Sequence, residues 1–141
     1  MNYDVFISHA SADKAVFVDK LANELSSLDL DVFYDDFSIL WGDNIKSKID
    51  DALNKCKKAI IVISENYFGR EWTEYEINML LIRQRNTIQP FIYPVLLNIT
   101  KKELVTHYPE LSSVKFKYAK SQSVEKLARE FKKIVKGKID E

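Results

Sequence analysis

Residues 59–63 read AIIVI, a run of five apolar side chains that offers no polar face. A strand of a half-exposed sheet alternates apolar and polar residues, whereas a strand that is covered on both faces is apolar throughout. The run therefore predicts a strand at the centre of a parallel sheet, with helices packed against both of its faces.

On either side of this run, short β-rich segments alternate with helical patterns. Apolar residues three and four positions apart share one face of a helix, and such spacing follows each predicted strand. Strands that alternate with helices are typical of right-handed crossovers and a parallel sheet. We predict a flavodoxin-like, doubly wound α/β fold, in which a five-stranded parallel sheet of order 2-1-3-4-5 carries helices on both faces. The predicted strands lie at 3–8, 30–34, 59–63, within 88–97 and at 114–118, and the predicted helices at 11–28, 45–56, 72–84, 100–106 and 123–135.

The composition argues against several classes of protein. The 141 residues include 21 basic and 21 acidic side chains, so the basic excess that binds nucleic acid or an anionic membrane surface is missing. One cysteine and two histidines argue against a disulfide framework and against a metal site. With three glycines, the chain contains neither a Walker A loop nor a GxGxxG fingerprint.

Length and hydropathy predict a cytoplasmic protein with one main domain. There is no run of about 18 apolar residues that would predict a membrane span. The first residues, MNYDVFIS, lack the basic flank and apolar stretch of a secretory signal. We expect one domain at 1–136, followed by a polar tail or linker at 137–141.

The predicted fold directs attention to three loops. In an open parallel sheet, ligands bind beyond the carboxyl ends of the strands, where the winding reverses. For this strand order the reversal lies between the first and third strands, so the flanking loops are 8–14 and 64–72. The loop after the second strand, 35–43, can fold over the same edge.

The first loop, SHASAD, has two interpretations. Its backbone N–H groups and small hydroxyls at a helix start suit a phosphate, but Ser11 or Asp13 can equally cap the helix that follows. His9 is a candidate ligand contact or an ordinary surface residue.

The second loop, DDFSILWGD, places Trp41 beside Gly42 in a largely polar stretch. An exposed tryptophan often stacks on a ligand or lies in an interface, although it can also pack beneath its own loop. Asp35 and Asp36 are adjacent and point to opposite sides of an extended chain, which favours solvated turn carboxylates.

The third loop leads into the helical segment WTEYEINML at 72–80. Trp72 and Glu76 are four residues apart and share one helix face. At about 100° per residue, Glu76 lies about 90° from the apolar stripe, and Glu74 lies about 70° from it on the other side. Both are boundary positions, so the helical wheel does not choose between the two carboxylates.

Four segments resemble the motifs of one family and follow one another in that family's order. The last of them, WTEYE (72–76), resembles the WxxxE motif of the third helix of a Toll/interleukin-1 receptor (TIR) domain of the bacterial type. YDVFISHA (3–10) resembles that family's opening strand, FYDDFSILWGDNI (33–45) its BB loop with the Gly-Asp pair, and AIIVIS (59–64) its central strand. Because the order and spacing match from about Tyr3 to Val135, the chain is identified as a member of this family, of the NAD+-cleaving kind.

The resemblance implies an enzyme that cleaves the nicotinamide–ribose bond of NAD+. The products would be nicotinamide and ADP-ribose or a cyclic ADP-ribose isomer, formed without a cofactor or a metal. The glutamate of WxxxE is the family's catalytic residue, which implies Glu76. The residues implied to bind the substrate are Ser8, His9 and Ala10 of the first loop, Trp41, Gly42, Asp43 and Asn44 of the BB loop, and Trp72.

The chain departs from the family in its first loop. Several enzymatic relatives carry arginines after the aromatic residue of the opening signature, where this chain has Ala10 and Ser11. The resemblance therefore leaves the contacts to the phosphates of NAD+ open.

A non-enzymatic interaction module is the second interpretation. Many animal TIR domains assemble with one another through the BB loop, here Asp35 to Asp43, and the tip Ile39-Leu40-Trp41 suits such contacts. The resemblance thus implies TIR–TIR self-association, in a signalling scaffold, a virulence factor or an enzyme of bacterial antiphage defence. Bacterial members usually carry a sensor or effector domain as well, which would lie beyond Glu141.

Overall fold

The computed structural model describes residues 2–34 and 39–137 and contains a five-stranded sheet in the predicted order β2-β1-β3-β4-β5. Neighbouring strands are parallel throughout. The flavodoxin-like fold class is therefore confirmed. The strands are β1 (Tyr3–Ser8), β2 (Val32–Phe33), β3 (Cys56–Ile63), β4 (Ile92–Leu96) and β5 (Lys117–Tyr118).

Each predicted helix is present within the described residues, although the first is α-helical only from Asp19. Thr100 and Ser123 cap the last two helices through their side chains, because each hydroxyl accepts a backbone N–H of the first turn. The helices are α1 (Asp19–Ser27), α2 (Ile45–Lys55), α3 (Glu71–Arg85), α4 (Lys101–His107) and α5 (Val124–Lys136).

The sheet separates two apolar cores, and β3 contributes to both. Ala59, Ile61 and Ile63 pack on the face that is covered by α2, α3 and α4. Ile60 and Val62 pack on the opposite face, against α1 and α5. Both faces of β3 are thus buried, which confirms the interpretation of the AIIVI run and places the carboxyl end of β3 between two helix layers.

The segment after β1 departs from a regular helix. Ser11–Asp13 is a 3₁₀ turn and Lys14–Val18 a π-helical turn, and the α-helix begins only at Asp19. Neither Ser11 nor Asp13 caps it, so the capping prediction is wrong. The reason is that the Asp13 carboxylate is occupied by two side chains of the loop after β3.

The side chain of Asn44 caps α2. Its Oδ1 accepts the backbone N–H of Ser47, and the Asp43 carboxylate accepts the N–H of Leu40 at 2.8 Å. The BB loop therefore closes on itself before the helix starts.

Pro94 lies inside β4 without interrupting it. β4 pairs with β3 from Ile92 to Leu96, whereas β5 pairs with it only at Val95 and Leu96. Pro94 thus lies where β4 has no neighbour on its β5 side, a position that proline tolerates. In the part of the chain that the structure describes, no helix is long and apolar enough to cross a membrane.

Candidate active site at the carboxyl edge of the sheet

A cleft of about 490 Å³ opens at the carboxyl edge of the sheet, between the loop after β1 and the start of α3. It lies where the winding reverses between β1 and β3, as expected for a ligand site in this fold. Its described lining comprises His9, Ala10, Ser11 and Ala12 from the first loop, Ile39, Ile45 and Ile49 from the BB loop and α2, and Arg70, Glu71, Trp72, Thr73 and Glu76 from α3 and the residue before it.

Glu76 is a buried carboxylate in this cleft. It lies in the second turn of α3, and only 6% of its surface is exposed. Its Oε1 accepts a hydrogen bond from Ser8 Oγ at 2.7 Å. Because a buried carboxylate is costly unless it is hydrogen-bonded, the carboxyl end of β1 supplies part of what holds Glu76 in place.

Glu74, the other carboxylate of the helical wheel, does not line the cleft. Its Oε2 accepts from the backbone N–H of Gly69 at 2.9 Å and from the Tyr108 hydroxyl at 2.6 Å. These contacts turn Glu74 toward the loop before α3 and toward α4. The structure thus separates two residues that the helical period leaves equivalent, and it brings Glu76 together with Ser8.

Tyr67 extends the hydrogen bonds of the cleft into the core, and the sequence analysis missed it. Its side chain is completely buried, and its hydroxyl lies 2.7 Å from Ser8 Oγ and 3.3 Å from the Thr73 carbonyl oxygen. Burial raises the pKa of Tyr67 well above its usual value, and the nearby charge of Glu76 adds to the effect. The hydroxyl therefore stays protonated and acts as a donor.

A second buried contact joins the two loops that flank the reversal. Ser64 Oγ donates to Asp13 Oδ2, and Asn66 Nδ2 donates to Asp13 Oδ1 at 3.0 Å. Asp13 is almost fully buried, so its two oxygens hold the loop after β1 against the loop after β3. Ser64 and Asn66 are thus committed to this contact, and α3 has no side-chain cap.

The sequence model of the TIR domain matches residues 5–132 of the chain. The chain belongs to the TIR domain family.

Several curated relatives of this TIR domain carry enzyme names. A 2′ cyclic ADP-D-ribose synthase of Acinetobacter baumannii is 35% identical over 133 residues, which are 94% of this chain and 49% of that protein. An NAD(+) hydrolase of Escherichia coli is 33% identical over 133 residues, 94% of this chain and 43% of that protein. The chain thus spans about half the length, or less, of these relatives.

Solved structures support the fold independently. A TIR domain of a Toll-related receptor from Hydra magnipapillata superposes with a TM-score of 0.72 at 18% identity, over 96% of this chain and all of that one. The TIR domains of the activated Roq1 resistosome give 0.73 at 19%, over 95% and 99% of the two chains. At these identities the likeness concerns the fold alone.

The TIR domain's first loop supplies a histidine and small residues to the cleft. His9 is buried, with Nδ1 3.4 Å from the Ile7 carbonyl oxygen, so the interpretation as a surface residue is wrong. Its Nε2 is buried without a hydrogen-bond partner among the described residues. Ala10 and Ser11 line the cleft as well, and a role of His9 and Ala10 in substrate binding stays a prediction.

Trp72 lines the same cleft as Glu76. Its ring meets Tyr75 edge-on, with 5.8 Å between the ring centroids, and remains partly exposed. A role of Trp72 in substrate binding stays a prediction.

The predicted BB-loop residues lie outside the described lining of the cleft. Trp41 is fully exposed, Gly42 has a φ of 97° that favours glycine, and Asp43 and Asn44 serve local hydrogen bonds. The apolar wall is formed instead by Ile39, Ile45 and Ile49. A substrate contact of residues 41–44 stays a prediction, and Asp35 and Asp36 lie outside the described residues.

Arg70 is a cleft residue that the sequence analysis missed. It immediately precedes α3, and its carbonyl oxygen accepts from Glu74 N at 2.9 Å and from Thr73 Oγ1 at 3.2 Å, which holds its backbone. Within residues 2–34 and 39–137, its guanidinium makes no ion pair and no hydrogen bond. A basic residue two positions before the WxxxE tryptophan was the available signal.

A second cavity, of about 500 Å³, lies beside the free edge of β4 and is lined mainly by apolar side chains. Its charged residues include Glu130 and Lys117, which pair with each other at 3.2 Å. None of the predicted site residues lies there, and the described chain holds no group of three acidic, histidine or cysteine side chains that could bind a metal ion.

Proposed function

We propose that this TIR domain cleaves the nicotinamide–ribose bond of NAD+, releasing nicotinamide together with ADP-ribose or a cyclic ADP-ribose isomer. The single observation that carries the proposal is the buried Glu76 carboxylate, held by Ser8 in a cleft large enough for a nucleotide. The enzyme names of the relatives support it, since they include NAD(+) hydrolases and 2′ cyclic ADP-D-ribose synthases.

One carboxylate suffices for this reaction. Glycosidases use two carboxyl groups, because one must protonate a poor leaving group. Nicotinamide leaves from a cationic pyridinium as a neutral molecule and needs no proton. What remains is an oxocarbenium-like positive charge on the ribose, which a fixed and desolvated carboxylate stabilises. We assign that role to Glu76.

The acceptor then decides the product. Water gives ADP-ribose, whereas a hydroxyl or adenine nitrogen of the same molecule gives a cyclic form. Trp72 and the apolar wall of Ile39, Ile45 and Ile49 shape the pocket. The proposed reaction needs neither a cofactor nor a metal, and it takes place in the cytoplasm, where a cell keeps its NAD+.

The test is incubation of the purified chain with NAD+, followed by chromatography of the nucleotides. Wild type should release nicotinamide, and Glu76→Gln should lower the rate by about 10³-fold or more, because the charge that stabilises the transition state is lost. Glu74→Gln is the matched control, two residues away on the same helix and outside the cleft, and should keep its activity. Equal rates for wild type and Glu76→Gln would reject the assignment.

Self-association is the second part of the proposal. Leu40 and Trp41 form an exposed apolar tip on the BB loop, which favours contacts between TIR domains, and the Roq1 neighbour is itself described as a resistosome. Turnover per molecule should then rise with protein concentration. A rise in mass without any turnover would favour the alternative, a non-enzymatic scaffold or virulence factor.

We place the reaction in bacterial antiphage defence signalling, where loss of NAD+ or release of a cyclic nucleotide follows infection. Cells that express the full-length protein should restrict phage growth, and cells that carry the Glu76→Gln variant should not.

A further inference from the structure

We propose that Tyr67 is a positioning residue for Glu76, acting through Ser8 as the first donor of a hydrogen-bond chain that ends on the carboxylate. The inference rests on the proposed function, because it assigns Glu76 a part in catalysis. Neither the sequence motifs nor the cleft lining include Tyr67, which lies entirely beneath the surface.

The direction of the chain follows from its protons. Ser8 has one hydroxyl proton, and that proton is donated to Glu76 Oε1 at 2.7 Å. The contact of 2.7 Å between Ser8 Oγ and the Tyr67 hydroxyl must then use the proton of Tyr67. Glu76 is thus the final acceptor, and the Ser8 proton points to it because Tyr67 occupies the other side of the Ser8 oxygen.

Two properties make Tyr67 a dependable donor. Complete burial keeps its hydroxyl protonated, since its pKa is raised well above the usual value. Its position is fixed at both ends, because the Tyr67 carbonyl oxygen accepts from Thr73 Oγ1 at 2.6 Å and its hydroxyl lies between two acceptors. Its single proton faces mainly Ser8 Oγ at 2.7 Å, and the Thr73 carbonyl oxygen at 3.3 Å is the weaker acceptor. Tyr67 therefore ties the end of β1, the loop after β3 and the first turns of α3 into one unit.

The consequence for the reaction is preorganisation. A carboxylate that must stabilise charge on the ribose has to be held in place before the substrate arrives. Without the Tyr67 donor, the Ser8 proton can rotate away from Glu76 toward another acceptor, and the carboxylate loses a fixed partner. The effect should appear in the chemical step and not in the binding of NAD+.

The decisive variant is Tyr67→Phe, which removes only the hydroxyl. We expect kcat to fall about tenfold, the effect of losing one buried hydrogen bond, while KM for NAD+ changes less than about twofold. Tyr108→Phe is the matched control, because it removes the hydroxyl that donates to Glu74 in the same helix, outside the cleft. Tyr108→Phe should lower Tm by about as much as Tyr67→Phe does and leave kcat unchanged.

A double-mutant cycle tests whether Tyr67 acts through Ser8. In a Ser8→Ala background, Tyr67→Phe should have no further effect on kcat, because the chain is already interrupted. Independent, multiplying effects of the two substitutions would overturn the proposal. So would a fall in kcat for Tyr67→Phe no larger than that for Tyr108→Phe.

A readout without turnover separates this inference from the proposed function. The carboxyl ¹³C signal of Glu76 can be titrated by NMR in wild type and in Tyr67→Phe. Donors favour the ionised carboxylate, so loss of the chain should move the midpoint to higher pH. An unmoved midpoint overturns the inference, whereas a shifted midpoint in a protein that does not consume NAD+ supports the chain of donors and rejects the NAD+-cleaving function.

Discussion

Strand β1 buries a polar side chain near each of its ends, and the two ends use them differently. At the amino end, the Asp4 carboxylate accepts the N–H of Asp31 at 2.8 Å and pairs with Lys57 at 3.1 Å. At the carboxyl end, Ser8 donates to Glu76 beside the cleft. Asp4 is neutralised by two exposed lysines, Lys57 and Lys136, whereas Ser8 contacts a carboxylate that lines a cavity.

The same difference between the amino and the carboxyl ends of the strands is found across the whole sheet. Of the seven buried polar or charged residues in the described chain, only Asp4 lies at the amino edge. The other six lie toward the carboxyl edge. His9, Thr73 and Glu76 line the cleft, where a ligand can reach them, whereas Ser8, Asp13 and Ser64 lie behind it and satisfy one another or Glu76.

The largest effect on stability is expected at Asp13. Asp13→Ala leaves the Ser64 hydroxyl and the Asn66 amide without their acceptor at a buried position, which should lower the free energy of unfolding by about 2–4 kcal/mol. Because Asp13 holds the two loops of the cleft together, turnover of NAD+ should fall as well. Urea denaturation and the nucleotide assay measure the two effects.

Asp51→Ala provides the control for Asp13. Asp51 is half-exposed and pairs with Lys55 four residues later, so its loss should change the free energy of unfolding far less than the loss of Asp13. If both variants lose the same stability, the buried contact between the loops stabilises the fold no more than an exposed ion pair does. The carboxyl edge of the sheet would then not differ from the amino edge in this respect.

A smaller effect, on the binding of the substrate and not on stability, is expected at Arg70. We assign the binding of the NAD+ phosphates to this residue. The two carboxylates of the described cleft lining, Glu71 and Glu76, repel an anion, and the first loop offers no arginine. Arg70→Ala should raise KM for NAD+ about tenfold, the effect of losing a charge-assisted hydrogen bond.

Nicotinamide riboside sharpens the test at Arg70, since it has the same scissile bond and no phosphate. Its cleavage should be unaffected by Arg70→Ala. Arg129→Ala, which removes an exposed arginine from α5, should leave both substrates unchanged. Equal losses for NAD+ and nicotinamide riboside would show that Arg70 shapes the cleft and does not bind phosphate.

The sequence predicted the fold because its signals are local and agree with one another. The apolar run at 59–63 requires cover on both faces, and helical spacing between the strands supplies it, so order and architecture follow. The ends of elements were harder. Asp13 has the side chain of a helix cap, and only the tertiary contact with Ser64 and Asn66 shows why it does not act as one.

The site was predictable where a motif marked it and not where contacts cross the chain. Trp72 and Glu76 follow from WxxxE, and both line the cleft. Tyr67 contacts Ser8 across 59 positions of sequence, a distance over which no periodicity reaches. The helical wheel left Glu74 and Glu76 equivalent because it ignores the loop before α3, whose Gly69 N–H turns Glu74 away.

The smallest effect is expected at the amino edge and should change with pH. Burial opposes ionisation of Asp4, but the Asp31 N–H and the charges of Lys57 and Lys136 outweigh it and hold the pKa of Asp4 below its usual value. A carboxyl with a lowered folded-state pKa stabilises the protein above the unfolded value of about 4, and the stabilisation is lost as the pH falls through the folded value.

Asp4→Asn keeps an acceptor for the Asp31 N–H and removes only the charge. Since Lys57 is 57% exposed and its pairing is screened by water, the variant should lose about 1 kcal/mol of stability at pH 7. The difference from wild type should shrink as the pH falls through the folded-state pKa of Asp4, because the wild-type carboxyl then loses its charge too, and kcat at pH 7 should be unchanged. A fall in kcat comparable to that of Tyr67→Phe would mean that the amino edge also positions the cleft, and the division between the two ends of β1 would not hold.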